Sequence, residues 1–82
     1  MQAAQGAVYL APNDAEAHTL LGWTYLLNDD ATRALSALDE ALWLDPQLGE
    51  AHYLRGLVLQ VTGENEAAQK AFVKAADLGY RP

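Results

Sequence analysis

Residues 16–22 read Glu-Ala-His-Thr-Leu-Leu-Gly, and residues 50–56 read Glu-Ala-His-Tyr-Leu-Arg-Gly. The two stretches share five of seven residues at a separation of 34 positions, and the same shift aligns further identical residues downstream, among them Ala34 with Ala68 and Leu44 with Leu78. A fixed period of this length is typical of helical repeat proteins. The chain therefore contains two copies of one structural unit.

The same shift extends backwards to the first residues of the chain. There the aligned pairs are Ala3 with Ala37, Ala7 with Ala41, Leu10 with Leu44 and Pro12 with Pro46. We predict one repeat domain over residues 1–82, with a half unit at 1–12, a first whole unit at 13–46 and a second at 47–82. Because the first residues read as the middle of a unit, we expect the sequence to be a piece of a longer protein.

The first whole unit reads as two helices joined by a polar turn. Apolar residues recur every three to four positions over residues 15–28, which predicts a helix with a wide apolar stripe and an N-cap at Asn13. Asp30 is placed to cap a second helix over residues 31–44, which ends before Pro46. The stripe of the first helix comprises Ala17, Leu20, Leu21 and Tyr25.

The second whole unit predicts helices over residues 50–62 and 66–78. Gly63 and Gly79 suit the left-handed conformation that ends many helices. Linkers of two to five residues favour antiparallel neighbours. No part of the chain predicts a strand, so the fold class is all-α.

The spacing of small and large residues resembles that of the tetratricopeptide repeat. This resemblance implies an α-solenoid, a right-handed superhelical stack of antiparallel helix pairs, with about five helices in this chain. The matching residues are His18, Leu21, Gly22, Tyr25, Ala34, Leu38, Ala41 and Pro46 in the first unit, and His52, Gly56, Leu59, Ala68, Phe72 and Ala75 in the second.

Small residues at matching positions predict where helices approach closely. Gly22 with Ala34, and Gly56 with Ala68, would let the two helices of each unit meet. A glycine inside a helix costs about 1 kcal/mol relative to alanine, so its presence in both units indicates a packing need.

Three features depart from the family pattern. Histidine stands at the aromatic position in both units, Arg55 stands where the first unit has Leu21, and Tyr80 stands where it has Pro46. We expect Arg55 either to extend its charge to the edge of the packed face or to mark the last unit.

No constellation in the chain indicates catalysis. Ser36 is the only serine, and no histidine lies near it in its helix to activate it. We interpret Asp29-Asp30 as a helix cap and Asp39-Glu40 as a solvated face, rather than as acid and base. The glycines are dispersed and form no phosphate-binding loop. We predict a non-enzymatic protein without a cofactor.

His18 and His52 are the residues to weigh for a metal site. Zinc needs three or four close ligands, whereas these histidines lie one whole unit apart and the chain has no cysteine. We interpret both as packing residues that replace an aromatic side chain, and we predict no metal.

The net charge of -6 limits the class of partner. Nucleic acids and anionic membranes require clustered Lys and Arg, which five basic residues do not supply. No apolar run is long enough to span a membrane, and the first residues do not form a signal peptide. The compartment stays open, with the cytoplasm slightly favoured. We expect a partner protein or peptide that is apolar or basic.

The resemblance also implies a binding surface, because in this family the first helix of each unit lines a concave groove that holds a peptide or a helix. We expect Trp23, Tyr53 and Leu57 to hold the ligand; alternatively, Trp23 and Tyr53 pack on neighbouring helices. Lys, Asn and Arg are absent from the groove positions, so we predict no carboxylate clamp. The positions are Glu16, Thr19, Trp23, Leu26, Leu27, Glu50, Tyr53, Leu57, Gln60 and Val61.

Tyr9 and Trp43 occupy equivalent places on second helices, where the family usually has exposed polar residues and the second unit has Asp77. They predict a convex aromatic patch. The two rings either cover each other or form a self-association surface. The alternative to a peptide-binding scaffold is therefore a self-assembly module that stacks or dimerises through its end helices, giving a homo-oligomer.

Overall fold

The computed structural model of the chain describes residues 14–81. They form four helices: α1 (Ala15–Leu27), α2 (Ala31–Leu44), α3 (Gly49–Val61) and α4 (Asn65–Asp77). No strand occurs within the described range, and the all-α prediction is confirmed. The half unit predicted for residues 1–12 lies outside that range, so the fifth helix and the handedness of the stack stay predictions.

The start of α1 corrects one prediction. Its N-cap is Asp14 rather than Asn13: the backbone of Asp14 is extended, and its Oδ1 accepts a hydrogen bond from the amide of Glu16 at 2.9 Å. That bond satisfies one of the amides that a helix start leaves without an intrahelical partner. Asp30 caps α2 as predicted, because its Oδ1 accepts from the amide of Arg33 at 3.1 Å.

α1, α3 and α4 end in the same way. The second residue after each helix has a positive φ, namely 59° at Asp29, 83° at Gly63 and 86° at Gly79. The following amide then returns to a carbonyl of the last turn, which closes the helix end. The predicted stops at both glycines are confirmed. The closing bonds run from Asp30 to Tyr25 at 2.9 Å, from Glu64 to Leu59 at 2.8 Å and from Tyr80 to Ala75 at 3.0 Å.

α3 and α4 pack as an antiparallel pair. Gly49 at the start of α3 lies beside Leu78 just after α4, whereas Leu59 near the end of α3 packs with Ala68 near the start of α4. Most buried apolar residues in the described part are alanines, so the helices can approach closely. The main core joins α2 and α3 through Ala34, Leu38, Ala41, Ala51, Leu54 and Val58.

The glycines inside α1 and α3 lie where helices meet, as predicted. A Cβ atom on Gly22 would lie 2.6 Å from Cγ of Leu38 and 3.3 Å from the carbonyl oxygen of Ala34. A Cβ atom on Gly56 would lie 2.6 Å from Cε1 of Phe72. The glycines therefore make room mainly for the large side chains of the facing helix, and Gly22 also approaches the backbone of its predicted alanine partner.

Arg55 joins the two whole units. Its Nε donates to Oδ1 of Asp39 on α2 at 2.8 Å, and both side chains remain partly exposed. The structure therefore favours the first of the two interpretations, in which the charge reaches the edge of a packed face. A second contact fixes the same junction, because Nε2 of His52 donates to the carbonyl of Pro46 at 2.9 Å.

Candidate interaction site

Large apolar side chains are exposed along one side of α1. Leu20, Trp23 and Leu27 are separated by three and four residues, so they lie on one face of the helix, and all three are exposed. The opposite side of α1 packs against α2 through Gly22. A helix that is apolar on more than one side is usually buried, so the open face of α1 is a candidate binding surface.

α3 lies beside α1 and α2, and its residues differ in how much they add to this exposed surface. Val61 at its end is exposed, whereas Leu57 is half-buried and packs against the core. Tyr53 is also half-buried, with its ring 5.4 Å from Phe72 and 5.2 Å from Tyr80 between centroids. The structure thus places Tyr53 in an aromatic cluster, as the packing alternative expected, while Trp23 remains exposed.

Two predicted groove residues contribute little open surface. Thr19 is buried, and its hydroxyl donates to the carbonyl of Ala15 at 2.8 Å, so its polar group is already satisfied. We therefore remove Thr19 from the candidate site. Leu26 is half-buried and packs against the core. By contrast, Glu16, Glu50 and Gln60 are exposed.

Leu20 is the site residue that sequence reasoning missed. It was assigned to the apolar stripe of its helix because it recurs with Ala17, Leu21 and Tyr25 at a spacing of three to four residues; its counterpart in the repeat is Leu54. Leu54 is 5% exposed and belongs to the core with residues of α2, whereas Leu20 is 49% exposed. The repeat aligns the two leucines, yet within the described residues only Leu54 belongs to a buried core cluster.

The charge around this face is acidic. Glu16 lies in the first turn of α1 and Glu50 in the first turn of α3. α1 contains no Lys or Arg, and the one arginine of α3, Arg55, is paired with Asp39. Within the described residues, the face formed by α1 and α3 therefore combines an apolar strip with unpaired carboxylates.

Trp43 lies on a separate surface, on α2. Its side chain is 78% exposed, and it borders an open groove of about 510 Å³ together with Ser36, Asp39 and Glu40. Tyr9, the other member of the predicted convex patch, lies outside the described residues. Whether the two rings meet therefore stays a prediction.

The histidines occupy structural positions. His52 is held by its bond to Pro46, and His18 is half-buried at the edge of a second groove of about 340 Å³ between α1 and α2. Across residues 14–81, no group of three or more His, Cys, Asp or Glu side chains could hold a metal ion. No helix in this range is both long and apolar enough to cross a membrane.

Sequence comparison matches the tetratricopeptide repeat over residues 3–36 and again over residues 49–78. The chain belongs to the tetratricopeptide repeat family. Among solved structures, the tetratricopeptide chain is similar to one titled "MamA RS-1 ArsTM double mutant", with a TM-score of 0.82. The two sequences are 28% identical, and the match covers 93% of the tetratricopeptide chain. It spans 43% of that protein. A comparison with curated proteins finds no match.

Proposed function

We propose that this tetratricopeptide chain is a protein-interaction scaffold that holds an apolar and basic peptide, extended or helical, against the face of α1 and α3. The observation that carries the proposal is the exposure of Leu20, Trp23 and Leu27 on one side of α1. Membership of a family of interaction repeats supports the general role.

The composition of the face supports a binding role. Tryptophan contributes a large share of the binding energy at many interfaces because it buries a wide, rigid surface at little entropic cost. Leu20 and Leu27 flank Trp23 at helical spacing, so one ligand could cover all three side chains. A contiguous apolar strip with a polar edge is the arrangement expected of a docking surface.

The charge of the face supports a basic ligand. Glu16 and Glu50 lie at the N-terminal ends of α1 and α3, and neither forms an ion pair within residues 14–81. A ligand with Lys or Arg beside its apolar residues would be attracted by these carboxylates, whereas an acidic ligand would be repelled. The net charge of -6 acts in the same direction at longer range.

A selection experiment tests the proposal. Peptides selected from a random twelve-residue display library on the immobilised chain should be enriched in apolar and basic residues. Replacing Trp23 with Ala should weaken their binding about tenfold or more, as for an interface hot spot, with helicity unchanged by circular dichroism.

Val73→Ala is the control, because it shortens an exposed apolar side chain on α4, outside this face, and should leave the affinity unchanged. Selected peptides that are acidic, or that bind Trp23→Ala as tightly as the original chain, would contradict the proposal. Loss of helicity in Trp23→Ala would instead place this side chain among the residues that hold the fold.

A self-assembly module is the second candidate function. It is favoured by the exposure of Leu20 on α1 and Val73 on α4, since α1 and α4 are the first and last described helices. Light scattering over a concentration series should then show a mass that rises with concentration, and Val73→Asp should abolish the rise. A monomer at every concentration would exclude this candidate and leave the peptide-binding proposal intact.

A further inference from the structure

The last turn of α2 carries a feature that the α1 and α3 face does not explain. Trp43 is the most exposed large apolar side chain among the described residues, at 78%. It lines an open groove of about 510 Å³ whose lining residues all lie on α2. The residues lining this groove are Thr32, Leu35, Ser36, Asp39, Glu40 and Trp43.

Negative charge surrounds the indole ring. Asp39 and Glu40 precede Trp43 by four and three residues, so both lie on its side of the helix. The last turn of α2 contains no basic residue, and the carbonyl groups of a helix end add partial negative charge there. Arg55 engages one oxygen of Asp39, whereas Glu40 forms no ion pair with any residue from 14 to 81.

The second unit shows that the fold does not require this arrangement. The 34-residue shift places Asp77 at the position of Trp43, Lys74 at that of Glu40 and Lys70 at that of Ser36. α4 nevertheless forms a helix one residue shorter than α2 and packs on α3 as α2 packs on α1. Of the two whole units that the structure describes, the first therefore carries the acidic and aromatic groove and the second does not.

We propose that this groove on α2 is a second docking site, which binds a lysine- or arginine-bearing segment of a basic partner protein. The cation lies over the indole ring of Trp43, where the negative face of the ring attracts it, and Glu40 flanks it. The apolar stem of the same side chain lies along the groove towards Leu35.

The charge of the chain decides between two possible occupants. A second copy of the chain would also carry a net charge of -6, so electrostatic repulsion between the two copies would oppose their association. A basic partner is attracted by the whole molecule as well as by the groove. The proposal therefore commits to a partner protein of positive charge, not to a homodimer.

A titration followed by NMR tests this site. The probe is an acetylated and amidated peptide of four Gly-Arg repeats, and the matched peptide of four Gly-Glu repeats is the control. At low ionic strength, the arginine peptide should shift the amide signals of Ser36, Glu40 and Trp43 saturably, whereas the glutamate peptide should not.

Three variants separate the contributions. Trp43→Leu keeps an apolar side chain but removes the indole, and it should weaken binding about two- to fivefold. Glu40→Gln removes the charge and should weaken binding by a similar factor, about two- to fivefold, with the loss disappearing at high salt. Gln69→Ala alters an exposed side chain on α4, outside both proposed surfaces, and should leave this binding unchanged.

The proposal is overturned by any of three results. The first is the absence of saturable shifts on α2. The second is binding to Trp43→Leu that equals binding to the original chain. The third is self-association of the chain that disappears in Trp43→Leu, which would make a second copy the occupant. Failure here would leave the α1 and α3 face untouched, because its test uses Trp23.

Discussion

The ring of Tyr80 lies against the ring of Tyr53, with centroids 5.2 Å apart and planes inclined by 38°. Tyr80 follows the stop at Gly79 and stands where the first unit has Pro46. Its amide closes the end of α4 on Ala75, and its side chain reaches back to the start of α3, where a Cβ on Gly49 would lie 2.8 Å from its own Cβ. One residue thus joins the end of α4 to the start of α3.

The first prediction concerns this contact. Tyr80→Ala should lower the free energy of unfolding by about 1 kcal/mol, the usual worth of an aromatic pair, while Tyr80→Phe should leave it nearly unchanged. Tyr80→Pro should cost more than Tyr80→Ala, because proline also removes the amide that bonds to Ala75. Urea unfolding followed by circular dichroism measures all three. Equal stability of Tyr80→Ala and Tyr80→Phe would mean that the ring contact contributes nothing.

The second prediction ranks the two glycines inside helices. Gly22→Ala should destabilise the chain by about 1–2 kcal/mol, because the new Cβ would press on Leu38, which is fully buried and cannot move aside. Gly56→Ala should cost less, since Phe72 is partly exposed and its ring can shift. Thermal unfolding of the two variants side by side provides the measurement. A higher melting temperature for Gly22→Ala, as helix propensity alone would give, would show that α1 and α2 are not in close contact.

The third prediction concerns the left-handed stops. Gly63→Ala should lower the free energy of unfolding by about 1 kcal/mol for conformational reasons alone, because no atom lies within 4 Å of the added Cβ. Asp29→Gly should do the reverse and stabilise the chain by up to about 1 kcal/mol, since Asp29 adopts the same conformation with a side chain. Denaturant midpoints of the two variants should move in opposite directions. A shift in the same direction would contradict this account of the helix ends.

The fourth prediction concerns the ion pair between Arg55 and Asp39. Both side chains are partly exposed, so a double-mutant cycle with Arg55→Gln and Asp39→Asn should give a coupling below about 1 kcal/mol. The coupling should shrink as salt is added, because mobile ions screen exposed charges. A coupling that is large and independent of salt would indicate that the junction excludes water.

Much of this fold can be predicted from the sequence because its signals are local. The 34-residue period gives the number of whole units, and each observed helix end falls within one residue of its predicted position. The sequence alone predicts the helix cap at Asp30 and the left-handed stops at Gly63 and Gly79, because each of these features depends on a few neighbouring atoms. Asn13 was misassigned as the cap because Asp14 beside it has equivalent chemistry.

The candidate site is harder to predict because exposure depends on neighbours that the repeat does not describe. Leu20 and Leu54 are the same residue at the same position in the repeat, yet one is open and the other is buried. Thr19 looked like a groove residue by family position, but its local environment buries it. Tyr53 was predicted to contact a ligand, and the structure shows that its ring already packs against the rings of Phe72 and Tyr80.

The bond between Arg55 and Asp39 has a consequence for the order in which such units can follow one another. The 34-residue shift places Leu21 of the first unit at the position of Arg55 in the second. It places Val73 of the second unit at the position of Asp39 in the first. Two identical units in tandem would set a charge against an apolar side chain at their boundary, whereas alternating units would match leucine with valine and aspartate with arginine in turn. Four side chains at two positions of the repeat thus favour alternation in any longer array.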